Sequence, residues 1–171
     1  MKKYTLLFGC YLSLLFACQD EKVQIQRAID EVTRAMTEES FPSKENMEKV
    51  IDLYDEYISK YPDAEESFTY MELKAKYLSA NNQHEEAIKA YSDLITKYPD
   101  DPRAAEALFM QAFIFENYLS DKTKAQEKYN EFLTKYPEHE LADDASFSIE
   151  NMNLSDEQLL QLLKQSNQDS L

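Results

Sequence analysis

Three pairs of adjacent acidic residues are the side chains of this sequence that most suggest hydrolytic chemistry: Glu65-Glu66, Glu85-Glu86 and Asp143-Asp144. Neighbouring residues on a helix point about 100° apart, so the two carboxylates of a pair do not converge on one substrate atom. Each pair also lies near a predicted helix start, where negative charge complements the helix dipole. The pairs therefore indicate helix starts, not a hydrolase site.

Other kinds of catalytic or cofactor site are also disfavoured by the residue types present. His84 and His139 are the only histidines, and neither has a second ligand one helical turn away, so no metal site is expected. The single glycine is Gly9, whereas phosphate-binding loops, dinucleotide fingerprints and nucleophile elbows depend on glycine. The formal charge of −15 disfavours nucleic-acid binding. We expect no cofactor and no enzyme activity, with an envelope hydrolase as the least favoured hypothesis.

The residues before Cys18 follow the pattern of an export signal. Lys2 and Lys3 precede the mostly apolar run from Tyr4 to Phe16, which is 13 residues long. That run is shorter than the ~20 residues of a membrane-spanning helix and is typical of a signal peptide. It ends in Leu15-Phe16-Ala17-Cys18, which resembles the cleavage box of bacterial lipoproteins. The resemblance implies cleavage before Cys18 and lipidation of Cys18; an ordinary secretory signal with an incidental cysteine is the alternative.

The acidic stretch Gln19-Asp20-Glu21 follows the cysteine directly. It resembles the export tag with which members of the Bacteroidota send lipoproteins to the cell surface. Acidic residues are also common at helix starts. Together with the cleavage box, the resemblance implies an outer-membrane lipoprotein, on either the periplasmic face or the cell surface.

A nine-residue pattern occurs three times, at Tyr54 to Pro62, Tyr91 to Pro99 and Tyr129 to Pro137. Its prolines recur after 37 and then 38 residues, a period typical of stacked helical hairpins. In each copy the tyrosines and large apolar residues fall at i, i+3, i+4 and i+7, so they share one helix face. Proline then ends the helix. Each copy is predicted to be the second helix of a hairpin that buries one stripe.

The same periodicity predicts helices along most of the chain. They are expected at about Val23–Met36, Lys44–Tyr61, Glu65–Ala80, His84–Tyr98, Ala104–Tyr118, Asp121–Tyr136 and His139–Met152. A capping box of Ser155 and Gln158 predicts a short final helix, with Leu159, Leu160, Leu162 and Leu163 facing inward. The chain divides into a signal peptide (1–17), a lipidated tether (18–22), a helical domain (23–165) and a frayed tail (166–171).

The repeats resemble the tetratricopeptide repeat, especially the variety ending in Tyr-Pro that occurs in bacterial envelope lipoproteins of outer-membrane β-barrel assembly and the Tol-Pal system. In the middle copy Ala75 and Ala87 occupy the positions of small residues at close helix contacts, and Tyr91, Leu94 and Pro99 match the second helix. The last copy matches at Ala112, Phe115, Ala125, Tyr129, Phe132 and Pro137. The resemblance implies an all-α, tetratricopeptide-like α-solenoid of stacked antiparallel helix pairs with a short C-terminal capping helix.

The resemblance also implies a function. It implies a scaffold that binds a protein or peptide partner along a concave face formed by the first helix of each pair. The implied lining residues are Thr69, Glu72, Lys76, Ser79, Glu106, Phe109, Phe113 and Glu116. Combined with Cys18, this predicts a lipid-anchored adaptor of the bacterial cell envelope. A structural subunit of an outer-membrane assembly or secretion complex is the alternative.

Overall fold

Seven helices and no strand are found in the computed structural model, which describes residues 4–39, 41–155, 157, 158, 160, 161 and 164, with side chains from residue 21 onwards. The helices are α1 (Tyr4–Glu38), α2 (Lys44–Lys60), α3 (Glu66–Ala80), α4 (His84–Lys97), α5 (Ala104–Asn117), α6 (Lys122–Lys135) and α7 (Ala142–Asn151). The predicted all-α class is confirmed, and adjacent helices pack as expected of a tetratricopeptide-like solenoid. Within these residues, no helix combines the length and the apolar character that crossing a bilayer requires.

The chain forms two units, Met1–Ala90 and Tyr91–Leu171. In the first unit α2 packs against both α1 and α3. Tyr54 and Tyr57 of α2 are fully buried, and the Tyr54 ring stacks on Tyr70 at 5.1 Å and on Tyr77 at 6.2 Å between ring centroids. The buried members of this core are Ile25, Ile29, Val32, Met36, Val50, Tyr54 and Tyr57. The tyrosine stripe predicted for the first copy therefore does form the core of this unit.

In the second unit α6 packs against both α5 and α7. Its core contains Ala105, Leu108, Ala112, Ala125, Tyr129, Phe132, Ala145 and Met152. Ala112 and Ala125 are fully buried, as are the rings of Tyr129 and Phe132. Small residues let helix backbones approach closely, and each fully buried large side chain stabilises the fold by about 1.5–3 kcal/mol. The stripe predicted for the third copy is confirmed.

The helix ends follow the signals read from the sequence. Ser43 caps α2, since its hydroxyl accepts the Asn46 backbone N–H at 3.3 Å. Asn82 adopts a positive φ of 62° after α3, where asparagine replaces the usual glycine. Ser155 and Gln158 form the predicted capping box, with the Ser155 N–H donating to the Gln158 side chain at 2.8 Å. Residues 157, 158, 160, 161 and 164 are helical, as the predicted final helix requires.

Three predicted details differ from the structure, and several others lie outside the residues that it describes. Helix α1 begins at Tyr4, well before the predicted Val23, so residues 18–22 are helical. Helix α7 begins at Ala142, not His139, because the His139 ring nitrogen accepts the Leu141 N–H at 3.2 Å and holds these residues in a turn. Leu160 is 56% exposed, so its inward orientation was predicted wrongly; consecutive leucines on a helix point about 100° apart. Leu159, Leu162, Leu163, the side chain of Cys18 and the tail 166–171 lie outside the described residues.

Candidate functional site

The four predicted partner-binding residues of the first unit form a stripe along α3. Thr69 and Lys76 are exposed, whereas Glu72 and Ser79 are half-buried. The Lys76 ammonium pairs with the Glu72 carboxylate one helical turn away. An exposed i,i+4 pair stabilises a helix by only about 0.3–0.5 kcal/mol. A charged group of a partner could therefore pair with Glu72 or Lys76 instead, with little loss of helix stability.

The four predicted residues of the second unit form the corresponding stripe on α5. Glu106, Phe109, Phe113 and Glu116 are all half-buried. The Phe109 ring lies edge-on to Tyr129 at 5.4 Å and to Phe132 at 5.7 Å, so much of it belongs to the core. The Phe113 ring lies edge-on to the Tyr118 ring, with 6.1 Å between the ring centroids. Glu116 is the member of this stripe that lines a cleft.

The cleft of the second unit, called here the α5–α7 cleft, has a volume of about 190 Å³ and is lined by Glu116, Phe147, Ser148, Asn151, Met152 and Leu154. Phe147 is one of the exposed large apolar side chains of the described residues, at 44%. Pockets for small-molecule ligands usually measure about 300–1,000 Å³. The α5–α7 cleft is therefore sized for one or two side chains of a partner.

The carboxylate of the cleft is oriented by a buried tyrosine. The Tyr129 hydroxyl donates to Glu116 Oε2 at 2.8 Å. Burial raises the pKa of Tyr129, which also interacts with Ser148 and Glu116, so the phenol stays neutral and keeps donating at physiological pH. Asn151 donates from its side-chain nitrogen to the Phe147 carbonyl oxygen at 2.7 Å, which fixes its position along α7. The cleft thus presents a positioned carboxylate beside an exposed aromatic ring.

The repeat offset relates the cleft to the stripe predicted on α5. The prolines Pro99 and Pro137 are 38 residues apart, so residues separated by 38 positions are equivalent in the two repeats. By this offset Phe147 is equivalent to Phe109 and Asn151 to Phe113. Leu154 is likewise equivalent to Glu116. Sequence reasoning missed these three cleft residues, although applying the offset to the last hairpin would have found them. Ser148 and Met152 carry no such signal.

Two of the acidic pairs lie at helix starts, and His139 packs against an aromatic ring. Glu85 and Glu86 are exposed in the first turn of α4, as Asp143 and Asp144 are in the first turn of α7. The described residues contain no group of three or more His, Cys, Asp or Glu side chains that could hold a metal ion. The His139 ring lies edge-on to Phe132 at 5.5 Å between centroids. The positions of these two acidic pairs fit the role in helix starts that the sequence predicts.

Comparison with known protein families identifies the repeats. Residues 70–101 and 106–139 match the model of the tetratricopeptide repeat. The chain contains tetratricopeptide repeats. The two matches correspond to the pairs α3–α4 and α5–α6, so α7 occupies the position of the first helix of a further pair. Domains of this kind generally bind protein partners and are generally non-catalytic scaffolds. Comparison with curated proteins finds no match to the chain.

Proposed function

We propose that this protein is a lipid-anchored adaptor of the bacterial cell envelope that binds a protein or peptide partner. The observation that carries the adaptor role is the pair of tetratricopeptide repeats at residues 70–101 and 106–139. The lipid anchor is supported by the sequence before Cys18, where a lysine-containing start and a short apolar run lead into a lipoprotein-type cleavage box. Outer-membrane location, on the periplasmic face or the cell surface, is part of this proposal, as is a source in the Bacteroidota.

The α5–α7 cleft suggests the chemistry of the partner's side chain. The Glu116 carboxylate favours a cationic or hydrogen-bond-donating head group, and the half-exposed Phe147 ring favours an apolar stem. Lysine and arginine combine an aliphatic stem with a charged head, and arginine also stacks on aromatic rings. The formal charge of −15 further favours a basic partner segment through long-range attraction. A partner with an exposed Lys or Arg next to apolar residues fits these features.

Photo-crosslinking in intact cells tests the adaptor role. A benzophenone amino acid replaces Phe147 in the cleft, and in a matched control it replaces Glu127, which is exposed on α6 in the same unit. The proposal expects a discrete adduct from position 147 and none from position 127. Equal adducts from both positions, or adducts from 127 alone, would count against the cleft. One fixed barrel protein among the adducts would favour the structural-subunit alternative.

Two substitutions test separately the Glu116 carboxylate and the Tyr129 hydroxyl that orients it. Glu116→Gln removes the charge, and we expect the affinity for the crosslinked partner to fall about fivefold, because a part-exposed charged hydrogen bond contributes about 1 kcal/mol. Tyr129→Phe keeps the charge and removes the hydroxyl that orients it and also interacts with Ser148, so its effect on affinity should be smaller. Unchanged binding by Glu116→Gln would exclude recognition of a cationic side chain here.

Membrane fractionation tests the anchor separately. Cys18→Ala removes the thiol that lipidation requires, so the variant should leave the membrane fraction. A Cys18→Ala variant that stays in that fraction would refute the lipid anchor while leaving the adaptor role open to the crosslinking test.

A further inference from the structure

A cluster of hydrogen bonds fixes the start of the packed part of α1 to the helices beside it. Glu66, in the first turn of α3, accepts from Lys22 Nζ at 3.1 Å, from Gln26 Nε2 at 3.1 Å and from the Tyr57 hydroxyl at 2.9 Å. The contacts of Glu66 with Gln26 and Lys22 join residues 40 and 44 positions apart in sequence. The carboxylate therefore ties three helices together at one end of the first unit.

A second contact holds the same end of α1 to the end of α2. Lys60 Nζ donates to Glu21 Oε1 at 2.8 Å and to Glu56 Oε1 at 2.7 Å. The hydrogen bond and charge of Lys60 lower the pKa of the Glu21 carboxyl. We call the six residues Glu21, Lys22, Gln26, Tyr57, Lys60 and Glu66 the N-terminal clamp. Exposed ion pairs contribute little to stability, but they restrict where the end of α1 can lie.

Apolar packing supports the clamp along the rest of α1. Ile25, Ile29, Val32 and Met36 are at most 6% exposed and pack in the core that contains Val50, Tyr54 and Tyr57. Their spacing of three or four residues keeps them on one side of the helix. From Glu21 onwards, α1 is therefore a fixed part of the first unit and not a free leader.

The clamp lies close to the residue proposed to carry the lipid. Cys18 precedes Glu21 by three residues, which span at most about 11 Å even when fully extended. Adaptors that need to swing away from a membrane require a long flexible linker, whose reach grows as about 5–6 Å times the square root of its length. No such length of chain lies between Cys18 and the clamp.

We propose that the N-terminal clamp gives the first unit a fixed orientation on the membrane, with the α2–α3 turn (61–65) against the lipid surface and the α1–α2 turn (residue 39 and residues 41–43) pointing away from it. This inference rests on the proposed lipid anchor at Cys18. The contacts of α1 with α2 are antiparallel, since Glu21 meets Lys60 whereas Glu39 meets Asn46 at 2.7 Å. The two turns therefore lie at opposite ends of the unit, about 26 Å apart for the helical rise from Glu21 to Glu38.

Fluorescence quenching on reconstituted protein tests this orientation. The acylated full-length product is placed in vesicles of phosphatidylethanolamine and phosphatidylglycerol that contain a headgroup-attached quencher. A thiol-reactive fluorophore is attached through Asp63→Cys in the α2–α3 turn, or through Lys44→Cys at the opposite end; both native side chains are exposed. Acylated Cys18 does not react with the dye. The label at position 63 should be quenched about threefold more than the label at position 44, given their separation along the helix.

A linker variant provides the matched control. Inserting about 20 Gly/Ser residues between Asp20 and Glu21 leaves the clamp intact but gives the anchor a reach of about 25 Å. Quenching at positions 63 and 44 should then become similar. Equal quenching at the two positions in the parent protein, or an unchanged difference in the linker variant, would overturn the orientation alone. A mass showing unmodified Cys18 would overturn the anchor and the orientation together.

Discussion

Replacing Glu66 with glutamine removes the charge at the centre of the N-terminal clamp while preserving the size of the side chain. Tyr57, which donates to the Glu66 carboxylate, is fully buried, and Lys22 and Gln26 donate to the same carboxylate from α1. Glutamine keeps one acceptor oxygen but introduces an NH₂ group that faces these donors. We expect Glu66→Gln to lower the free energy of unfolding and to loosen α1 first.

The size of the effect follows from the pKa of the carboxyl group. The backbone N–H of Glu66 and the Tyr57 hydroxyl, with smaller contributions from Lys22 and Gln26, lower the pKa of Glu66 from 4.5 to about 2. At about 1.36 kcal/mol per pKa unit, this fall would correspond to about 3 kcal/mol without screening. The Glu66 and Lys22 side chains are 39% and 30% exposed, so solvent screens the interaction. We expect a loss of about 1 kcal/mol at pH 7.

Urea denaturation of the wild type, Glu66→Gln and the control Glu65→Gln measures this loss. Glu65 is exposed and its side chain makes no capping hydrogen bond to α3, so its substitution should change stability by less than about 0.5 kcal/mol. Because the pKa of Glu66 is lower in the folded chain, its stabilisation is present above about pH 4.5 and lost as the pH falls towards about 2. The difference between wild type and Glu66→Gln should shrink over that range. Equal stability at pH 7, or a difference that does not change down to pH 2, would refute the reasoning.

Three further substitutions test the packing and capping, each by urea denaturation. Tyr54→Phe removes a buried hydroxyl that has no hydrogen-bond partner among the described residues, so stability should rise by about 1 kcal/mol; a loss of that size would contradict this. Ala125→Leu enlarges a fully buried side chain in the core of the second unit and should cost about 1–3 kcal/mol; a neutral result would mean that unfilled space lies beside it. Asp121→Ala removes the carboxylate that accepts the Lys124 N–H at 3.0 Å and should cost about 1 kcal/mol, whereas an unchanged midpoint would show that this cap is dispensable.

The helices could be predicted from the spacing of apolar residues, because that spacing depends only on residues near each other in sequence. Tyr54, Tyr91 and Tyr129 are each at most 1% exposed, as expected for residues that recur on one helix face. Proline and asparagine marked helix ends because both act through their own backbone. The extent of α1 was not predicted, because the apolar run from Tyr4 to Phe16 and the amphipathic stretch from Val23 differ in sequence pattern, while the backbone is helical through both.

The contacts that define the two proposed sites were harder to predict. Glu66 resembled a helix-start residue, and nothing local indicates that Lys22 would lie beside it, because that pairing depends on how α1 packs on α2 and α3. On α5, Phe109 turned inward to Tyr129, whereas Phe147 at the equivalent repeat position is 44% exposed. Identical residue types at equivalent positions thus differ in exposure, because burial depends on which neighbouring helices cover them.

The mass of the N-terminal tryptic peptide of the protein purified from envelopes tests the central claim of a membrane-anchored adaptor most directly. Processing before Cys18 gives a peptide that ends at Lys22. We expect this peptide to begin at Cys18 and to carry both a diacylglycerol thioether and an N-acyl chain, in a form that partitions into detergent. A tryptic peptide running from Tyr4 to Lys22, which unprocessed protein would give, or one that begins at an unmodified Cys18, would contradict the anchor and the orientation built on it.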